Sequence, residues 1–263
     1  LEEHLFTQSL LAEEISAVSP LEVNGTTLHF YQGFYFTVFP RQGGHAPEID
    51  CPDTLFRIGR NIGRIHQVSG NKNFTHRKTL SVEEWAIESR RYLLQENFIP
   101  CSLIPAYETL SQDIIKKISS IWNLTSFKTI RLHGDCHLGN ILWRDSLAHF
   151  VDFDDCINGP AIQDIWLLLS GDRHQQTQQL AEIIEGYEEF CKFDPIEINL
   201  IESLRTLRMM YYSSWLARRW SVPAFPMFFP WFNTERYWSD HILELREQLA
   251  ILDEPPLQFQ SGH

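Results

Sequence analysis

Residues 131–155 constrain this chain most, because acidic and amide side chains recur there at fixed spacings. The segment reads RLHGDCHLGNILWRDSLAHFVDFDD, with Asn140 five residues after Asp135, and Asp152 after a short apolar run. Phosphoryl transfer from ATP uses one carboxylate to position and deprotonate the acceptor hydroxyl. It uses an amide oxygen and a second carboxylate to hold Mg²⁺ on the phosphates. Asp135, Asn140 and Asp152 supply that set of groups.

The pattern around these residues predicts a strand, a loop and a hairpin. Residues 127–132 are apolar and β-branched, which favours a strand. Residues 133–139 are polar with two glycines, which favours a loop. The 141–151 stretch predicts two short strands joined by a turn. Such a hairpin would bring Asp152 back beside Asn140, so that two metal ligands converge.

Two other interpretations of the segment stay open. A polar loop that caps a hairpin uses Asp and Asn for hydrogen bonds of its own. A zinc hydrolase could use His133, Asp135 and His137, since imidazole and carboxylate both bind zinc. The remaining histidines contain no His-x-His or His-x-x-x-His cluster to complete such a site. The spacing of the acidic and amide groups therefore favours phosphoryl transfer.

The motif resembles a known family of kinases. His-Gly-Asp-x-His-x-x-Asn followed by Asp-Phe-Asp is similar to the aminoglycoside phosphotransferase and choline kinase branch of the protein-kinase-like fold. The runs LHGDCHLGNILWRD, NGPAIQDIWLLLSGD and RRWSVPAFPMFFPW resemble the bacterial stress response kinase A family over nearly the whole chain. The resemblance implies a cytoplasmic serine/threonine protein kinase with ATP and Mg²⁺ as cofactors and a protein hydroxyl as acceptor.

The residues and the resemblance together assign roles within the segment. Asp135 would accept or orient the acceptor proton, and Asp152 would be the second catalytic carboxylate. Asn140 and Asp152 would bind Mg²⁺, and His133 would order the loop. The resemblance also implies that Asp164, the one charge in an apolar run, braces the loop through hydrogen bonds.

The resemblance implies an α+β fold of the two-lobed, protein-kinase-like kind, with an incomplete N-terminal β-lobe and a mainly helical C-terminal lobe. Residues 1–44 would be the remnant of the small lobe and the hinge, 45–252 the helical catalytic lobe, and 253–263 a tail. Neither a Gly-x-Gly-x-x-Gly motif nor any lysine precedes Lys72. We therefore expect a fragment, or a departure from the family where ATP is gripped, and weak phosphotransfer by residues 1–263 alone.

Three residues near the start are candidates for nucleotide binding. Glu2 to Ser16 predicts a helix, in which Glu3 would pair with the ATP-gripping lysine of such kinases. A solvated acidic helix start explains the same residue equally well. The break at residues 40–44 would be the hinge whose backbone holds adenine, which implicates Phe39 and Arg41.

Local signals predict the remaining elements. Asn24-Gly25 predicts a hairpin turn, and residues 33–39 predict a further strand. Four arginines in the predicted 196–220 helix are expected to pair with carboxylates within the chain: Arg205, Arg208, Arg218 and Arg219. The aromatic 223–231 segment is expected to pack against the helical lobe rather than to form a surface for a substrate or partner. Helical periodicity predicts helices at 51–67, 81–97, 111–122, 161–170, 175–190, 196–220 and 233–252.

Composition narrows the class of protein. The net charge of −12 argues against nucleic acid or an anionic membrane surface as a partner. Five cysteines without a close pair fit reduced thiols. An acidic chain also suits a cationic acceptor, so a small-molecule kinase for amino alcohols or aminoglycosides is the alternative enzyme. The absent lysine makes a pseudokinase or binding module the alternative outside enzymes, and the oligomeric state is left open.

Overall fold

The computed structural model describes residues 1–70 and 72–258, in which helices dominate and the sheets are small. The α-helices are α1 (Glu2–Ala12), α2 (Pro52–Ser69), α3 (Glu88–Gln95), α4 (Ile104–Leu124), α5 (Gln163–Trp166), α6 (Arg173–Tyr187), α7 (Ile201–Arg218), α8 (Ala224–Phe228) and α9 (Glu235–Ile251). The strands are β1 (His29–Tyr31), β2 (Phe34–Phe36), β3 (Ile130–Leu132), β4 (Ile141–Arg144), β5 (Leu147–Phe150) and β6 (Ile157–Gly159). This mixture agrees with the α+β expectation.

The hairpin predicted over residues 141–151 is confirmed. β4 and β5 pair antiparallel, with Ile141 opposite Phe150. Asp145 and Ser146 connect them with positive φ angles, the conformation of the two-residue turn that matches strand twist. Val151 N donates to Asn140 O at 3.0 Å, which extends the pairing to the residue before Asp152.

The first hairpin lies later in the chain than the sequence indicates. β1 and β2 pair around Gln32-Gly33, two residues with positive φ. Asn24-Gly25 forms a tight turn, but a single bridge between Val23 and Thr26 replaces the flanking strands. The turn predicted at Asn24-Gly25 is thus present without its flanking strands, and the strand predicted over residues 33–39 is present over Phe34–Phe36. Gln-Gly carries a weaker turn signal than Asn-Gly.

Helix α1 ends at Ala12, earlier than predicted. Glu14 adopts a left-handed φ of 55°, Glu14 N donates to Leu11 O, and Ile15 N donates to Leu10 O. These two bonds form a Schellman cap, and the buried Ile15 supplies its apolar contact. The segment after the cap then joins the hairpin, since Val18 N donates to Phe150 O at 2.8 Å.

Other helices differ from the prediction in their geometry or their bounds. The helix predicted from residue 81 does begin there, since Ser81 Oγ accepts from Glu84 N at 3.3 Å, but residues Glu83–Ile87 are π-helical before α3. Helix α4 begins at Ile104 because Pro105 fits the first turn, where its missing N–H is not needed. The apolar run at 161–170 contains only the short α5.

The chain divides into two compact units. One comprises Leu1–Thr79, Phe127–Pro195 and residues 257–258, and the other comprises Leu80–Ser126 and Ile196–Pro256. The first unit contains every described strand and the 131–155 segment, whereas the second is helical in its described residues. The lobe boundaries at residues 44 and 252 stay predictions. Residues 259–263 of the expected tail lie outside the described residues.

Glycines bring α2 and α6 into close contact within the first unit. A Cβ at Gly59 would overlap the Ile183 carbonyl oxygen, and one at Gly186 would overlap the Phe56 carbonyl oxygen. Each helix therefore requires a residue without a side chain where the other crosses it. This approach sets His66 of α2 against Tyr187 of α6, at 3.1 Å between Nδ1 and the hydroxyl.

Aromatic rings surround the end of α7 in the second unit. Arg218 lies 4.2 Å from the Tyr92 ring centroid and Arg219 lies 4.5 Å from that of Trp215. Neither arginine has a carboxylate partner in the described residues, so carboxylate pairing is wrong for these two, although Arg205 does pair with Glu202. The 223–231 segment is divided: several of its rings pack around Trp215, while Met227 and Phe228 are exposed.

Two further observations concern the cysteines and the length and polarity of the helices. All five cysteines are free thiols in the structure. Among residues 1–70 and 72–258, no helix combines the length and apolar character that a membrane crossing requires.

Candidate active site

A buried carboxylate holds the loop that follows β3. Asp164 accepts hydrogen bonds from the backbone N–H groups of His133 and Gly134, both at 2.8 Å. His66 Nε2 lies 3.0 Å from the same carboxylate. Because α5 and α2 are both anchored in the core, the loop that carries Asp135 has a fixed path.

The Asp164 carboxylate is stabilised in its charged form. Burial by itself would raise its pKa, but the hydrogen bond from His66, the charges of His66 and His133, and the Gly134 N–H outweigh that effect. The pKa of Asp164 therefore lies below its ordinary value. The bracing role implied by the resemblance is confirmed by these bonds.

Sequence reasoning misses the partners of this carboxylate. His66 follows the apolar stripe of α2, where a histidine i+4 from Ile62 was a usable signal of a buried polar contact. Gln163 also holds the loop, since its Nε2 donates to Gly134 O at 2.8 Å and its Oε1 accepts from Trp166 Nε1. No sequence signal separates Gln163 from an ordinary helix residue.

Gly134 allows the loop to touch the turn after β5. Its φ is +87°, and a Cβ there would overlap the Asp155 carbonyl oxygen. Only glycine satisfies both conditions without displacing the backbone. The two acidic segments of the motif are thus in direct backbone contact.

Hydrogen bonds link Asn140 to Asp135 and to the residue before Asp152. Asn140 Nδ2 donates to the backbone O of Asp135 at 3.0 Å, which turns Asn140 Oδ1 away from that carbonyl. Asn140 O accepts from Val151 N, the neighbour of Asp152. Asn140 thereby connects to both acidic segments of the motif. A carboxylate and an amide oxygen could hold a hard cation such as Mg²⁺ with its phosphates.

Asp152 immediately precedes the short 3₁₀ turn Phe153–Asp155, which is held in place by a buried side chain. It is an exposed residue with left-handed φ of 61° and ψ of 65°. The next residue, Phe153, is buried, with its ring centroid 4.4 Å from that of His133 and 5.9 Å from that of Phe6 on α1. The buried ring fixes the turn, while the carboxylate before it is left at the surface.

The zinc interpretation is not supported by the histidine rings. His133 Nε2 lies 2.9 Å from Val151 O, and His137 Nδ1 accepts from Gly139 N at 2.9 Å. No three His, Cys, Asp or Glu side chains in the described ranges come together as a metal-binding group. His133 orders the loop, as predicted, by bonding to the strand end. His137 Nε2 lies 3.5 Å from Asp135 Oδ2.

Cys136 lies between these polar residues but is buried. Burial, together with the charges of Asp164 and Asp135, raises the pKa of the thiol. A protonated, enclosed thiol is a poor nucleophile. Cys136 therefore packs the loop from inside.

Glu3 pairs with an arginine in the structure. Arg77 Nη2 lies 2.7 Å from Glu3 Oε2, and Arg77 Nη1 donates to the Asp154 and Cys156 carbonyl oxygens. Burial and the nearby Asp154 carboxylate raise the pKa of Glu3, against the opposing effect of Arg77. Its pairing with a lysine stays a prediction.

Phe39 and Arg41 are exposed residues in the irregular segment after β2. The segment lies along the hairpin, since His45 and Trp143 exchange backbone hydrogen bonds of 3.2 and 2.7 Å. Phe39 and Arg41 are thus placed in the segment expected to be the hinge. Their contact with a nucleotide stays a prediction.

Comparison with known proteins identifies relatives of the chain. Residues 2–198 match the model of the phosphotransferase enzyme family. Stress response kinase A of Escherichia coli (strain K12) is 47% identical over 259 residues, which are 98% of this chain and 78% of that protein. Serine/threonine protein kinase RdoA of Salmonella typhimurium (strain LT2) is 45% identical over 258 residues, with the same shares covered. The family resemblance found in the motifs is confirmed.

Solved structures share the fold at lower identity. An amicoumacin kinase, solved in complex with AMP-PNP and Ca²⁺, superimposes with a TM-score of 0.72 at 18% identity, covering 98% of this chain and 78% of that one. A microcompartment-associated aminopropanol kinase gives a TM-score of 0.63 at 15% identity, with 96% and 80% covered. The protein-kinase-like fold class predicted from the motif is confirmed.

Proposed function

The chain belongs to the phosphotransferase enzyme family and is a kinase, and from that premise we propose that it transfers the γ-phosphoryl group of ATP to a Ser or Thr hydroxyl of a protein. One observation carries the proposal. Asn140 is hydrogen-bonded both to the Asp135 backbone and to the residue before Asp152. These bonds support the proposal, because they tie Asn140 to both segments that carry the carboxylates the reaction would use.

Each residue has a chemical task in this proposal. Asp135 would orient the acceptor hydroxyl and take its proton as the hydroxyl oxygen bonds to the γ-phosphorus. At the same time the bond from that phosphorus to the β,γ-bridging oxygen would break, and ADP would leave. Asn140 Oδ1 and the Asp152 carboxylate would hold Mg²⁺, whose charge would offset that of the phosphates. Their oxygen donors fit that ion, and Asp152 is exposed where a ligand can reach it.

The nucleotide would be held by groups outside the motif. Backbone atoms at Phe39 and Arg41 would meet the adenine, and Glu3 would orient a cationic side chain toward the phosphates. These assignments rest on the family pattern. ATP and Mg²⁺ are both plentiful in the cytoplasm, which is the compartment we propose.

The protein acceptor is supported by degree of relatedness. The relatives at 45–47% identity carry the names stress response kinase A and serine/threonine protein kinase. The kinases named for small molecules are below 20% identity and share the fold. A small cationic acceptor is the second candidate, favoured by the net charge of −12. A binding module without turnover is the third.

Labelled ATP separates these functions. The full-length protein is offered [γ-³²P]ATP with a generic protein substrate, with an amino alcohol and with an aminoglycoside. We expect label on the protein substrate, and Asp135→Asn should lower it by about 10²–10⁴-fold. Asp145→Asn is the matched control, since it changes an exposed aspartate in the hairpin turn.

Each outcome decides one alternative. Label only on a small acceptor establishes the second candidate. Nucleotide binding without label on any acceptor establishes a binding module. Turnover of Asp135→Asn close to that of Asp145→Asn would exclude Asp135 as the base.

A further inference from the structure

Arg77 connects α1 to the turn that carries Asp152. One end of its guanidinium, Nη2, lies 2.7 Å from the Glu3 carboxylate. The other end, Nη1, donates to Asp154 O at 2.5 Å and to Cys156 O at 3.2 Å. The guanidinium is planar with a fixed fork of donors, so one side chain can hold both partners in a defined relative position.

The backbone beneath Arg77 is held from the same helix. The Glu2 carboxylate accepts hydrogen bonds from the N–H groups of Thr75, His76 and Arg77, at 2.7, 2.9 and 2.9 Å. Against the raising effect of desolvation, these three bonds lower the pKa of Glu2. Two adjacent carboxylates at the start of α1 therefore bind residues 75–77: Glu2 binds their backbone N–H groups, and Glu3 binds the Arg77 side chain.

The carbonyls bonded by Arg77 follow closely after Asp152. Phe153–Asp155 is a single 3₁₀ turn, and Asp152 precedes it in a left-handed conformation. A short turn of this kind has few hydrogen bonds of its own, so its orientation depends on what its carbonyls meet. The Phe153 ring holds it on the inside, and the Arg77 fork holds it on the outside.

We propose that Arg77 is a positioning residue for the metal: by bridging Glu3 to the turn carbonyls, it sets the direction of the Asp152 carboxylate. The inference rests on the proposed function, since it takes Asp152 as a Mg²⁺ ligand. Partners that orient a metal ligand typically change metal affinity or activity by about 10–100-fold when they are lost. An ion pair with only a stabilising role would leave metal affinity unchanged.

The experiment compares arginine variants in the full-length protein. Arg77→Gln removes the charge and the fork, and Arg77→Lys keeps the charge without the fork. Arg60→Gln is the matched control. Arg60 lies on α2, and its Nε is likewise 2.7 Å from a glutamate oxygen, Glu189 Oε2. Mg²⁺ affinity is measured in the presence of ADP by calorimetry, and Mn²⁺ binding by electron paramagnetic resonance. Hydrogen exchange of amides 152–156 reports the turn itself.

We expect Arg77→Gln to weaken Mg²⁺ binding by about 10-fold or more, with faster exchange over 152–156. Arg77→Lys should fall between it and the parent, and Arg60→Gln should match the parent. A Mg²⁺ affinity for folded Arg77→Gln within twofold of the parent would overturn the inference. If Arg77→Gln does not fold, the same criterion applies to Arg77→Lys.

Asp152→Asn separates this inference from the proposed function. If that variant binds Mg²⁺ as the parent does, the metal assignment itself fails. If it loses Mg²⁺ affinity while the Arg77 variants keep theirs, only the positioning role fails.

Discussion

His66 Nε2 and Asp164 Oδ2 lie 3.0 Å apart, and both side chains are only 1% exposed. The pair ties α2 to the loop that carries Asp135, since Asp164 also accepts the backbone N–H groups of His133 and Gly134. Removal of a buried carboxylate with such partners strongly destabilises a protein. The partner groups then stay buried without a counter-charge or hydrogen-bond acceptor, and water cannot replace it.

Asp164→Asn should therefore lower the free energy of unfolding by about 3–5 kcal/mol. The amide keeps the size of the carboxylate but loses its charge and one of its two acceptor oxygens. Urea denaturation checks the value. The control is Asp172→Asn at the start of α6, where Asn also caps a helix. Equal effects of the two changes would contradict the anchoring role of Asp164.

The two proposed metal ligands should differ in importance. Asn140→Ala and Asp152→Ala both remove an oxygen, but only Asp152 brings a full negative charge to a hard cation. We expect both variants to raise the half-saturating Mg²⁺ concentration for nucleotide binding, and Asp152→Ala to raise it more. Calorimetric titration of Mg²⁺ with ADP measures both. If zinc binds at His133 and His137 without nucleotide, the assignment of both ligands is refuted.

Gly134→Ala should cost more stability than Gly25→Ala. Both glycines have positive φ, so each change carries the left-handed penalty of about 1–2 kcal/mol. Gly25 has open space around it, whereas a Cβ at Gly134 overlaps the Asp155 carbonyl oxygen. The overlap should add about 1–3 kcal/mol. Urea denaturation of the two variants isolates it, and equal losses would show that the loop and turn are not in contact.

His241 should make folding sensitive to acid. Its ring is buried against Tyr237 and Ser213 Oγ, and burial lowers its pKa to about 4. Unfolded histidine titrates near pH 6.5, so between about pH 6.5 and 4 the unfolded chain binds a proton that the folded chain does not. The free energy of unfolding therefore falls as pH decreases, by about 2 kcal/mol between pH 7 and 5 for this residue.

Denaturation of the parent and of His241→Gln at pH 7 and 5 measures that contribution. The variant should lose about 2 kcal/mol less than the parent over this interval. His174→Gln, at an exposed position of α6, should behave as the parent does. An unchanged pH dependence in His241→Gln would exclude the residue as the acid-sensitive group.

Local patterns were sufficient for much of the fold. The 141–151 hairpin follows from two short apolar runs and a polar turn between them, signals that act over a few positions. The start of α4 at Ile104 is not predicted by the sequence pattern, because propensity is weak there and packing decides the boundary. The hairpin at Gln32-Gly33 was missed because a stronger turn signal lies nearby.

The sequence alone indicates phosphoryl transfer, through the spacing of Asp135, Asn140 and Asp152 within one segment. It also pointed to Asp164 as a brace, through a family pattern. The groups that hold these residues in place become visible in the folded structure alone. His66, Arg77 and Gln163 are remote in sequence from the residues they contact. Each of these polar side chains can bond to water in the unfolded chain, and it acquires a defined protein partner only when folding buries both groups.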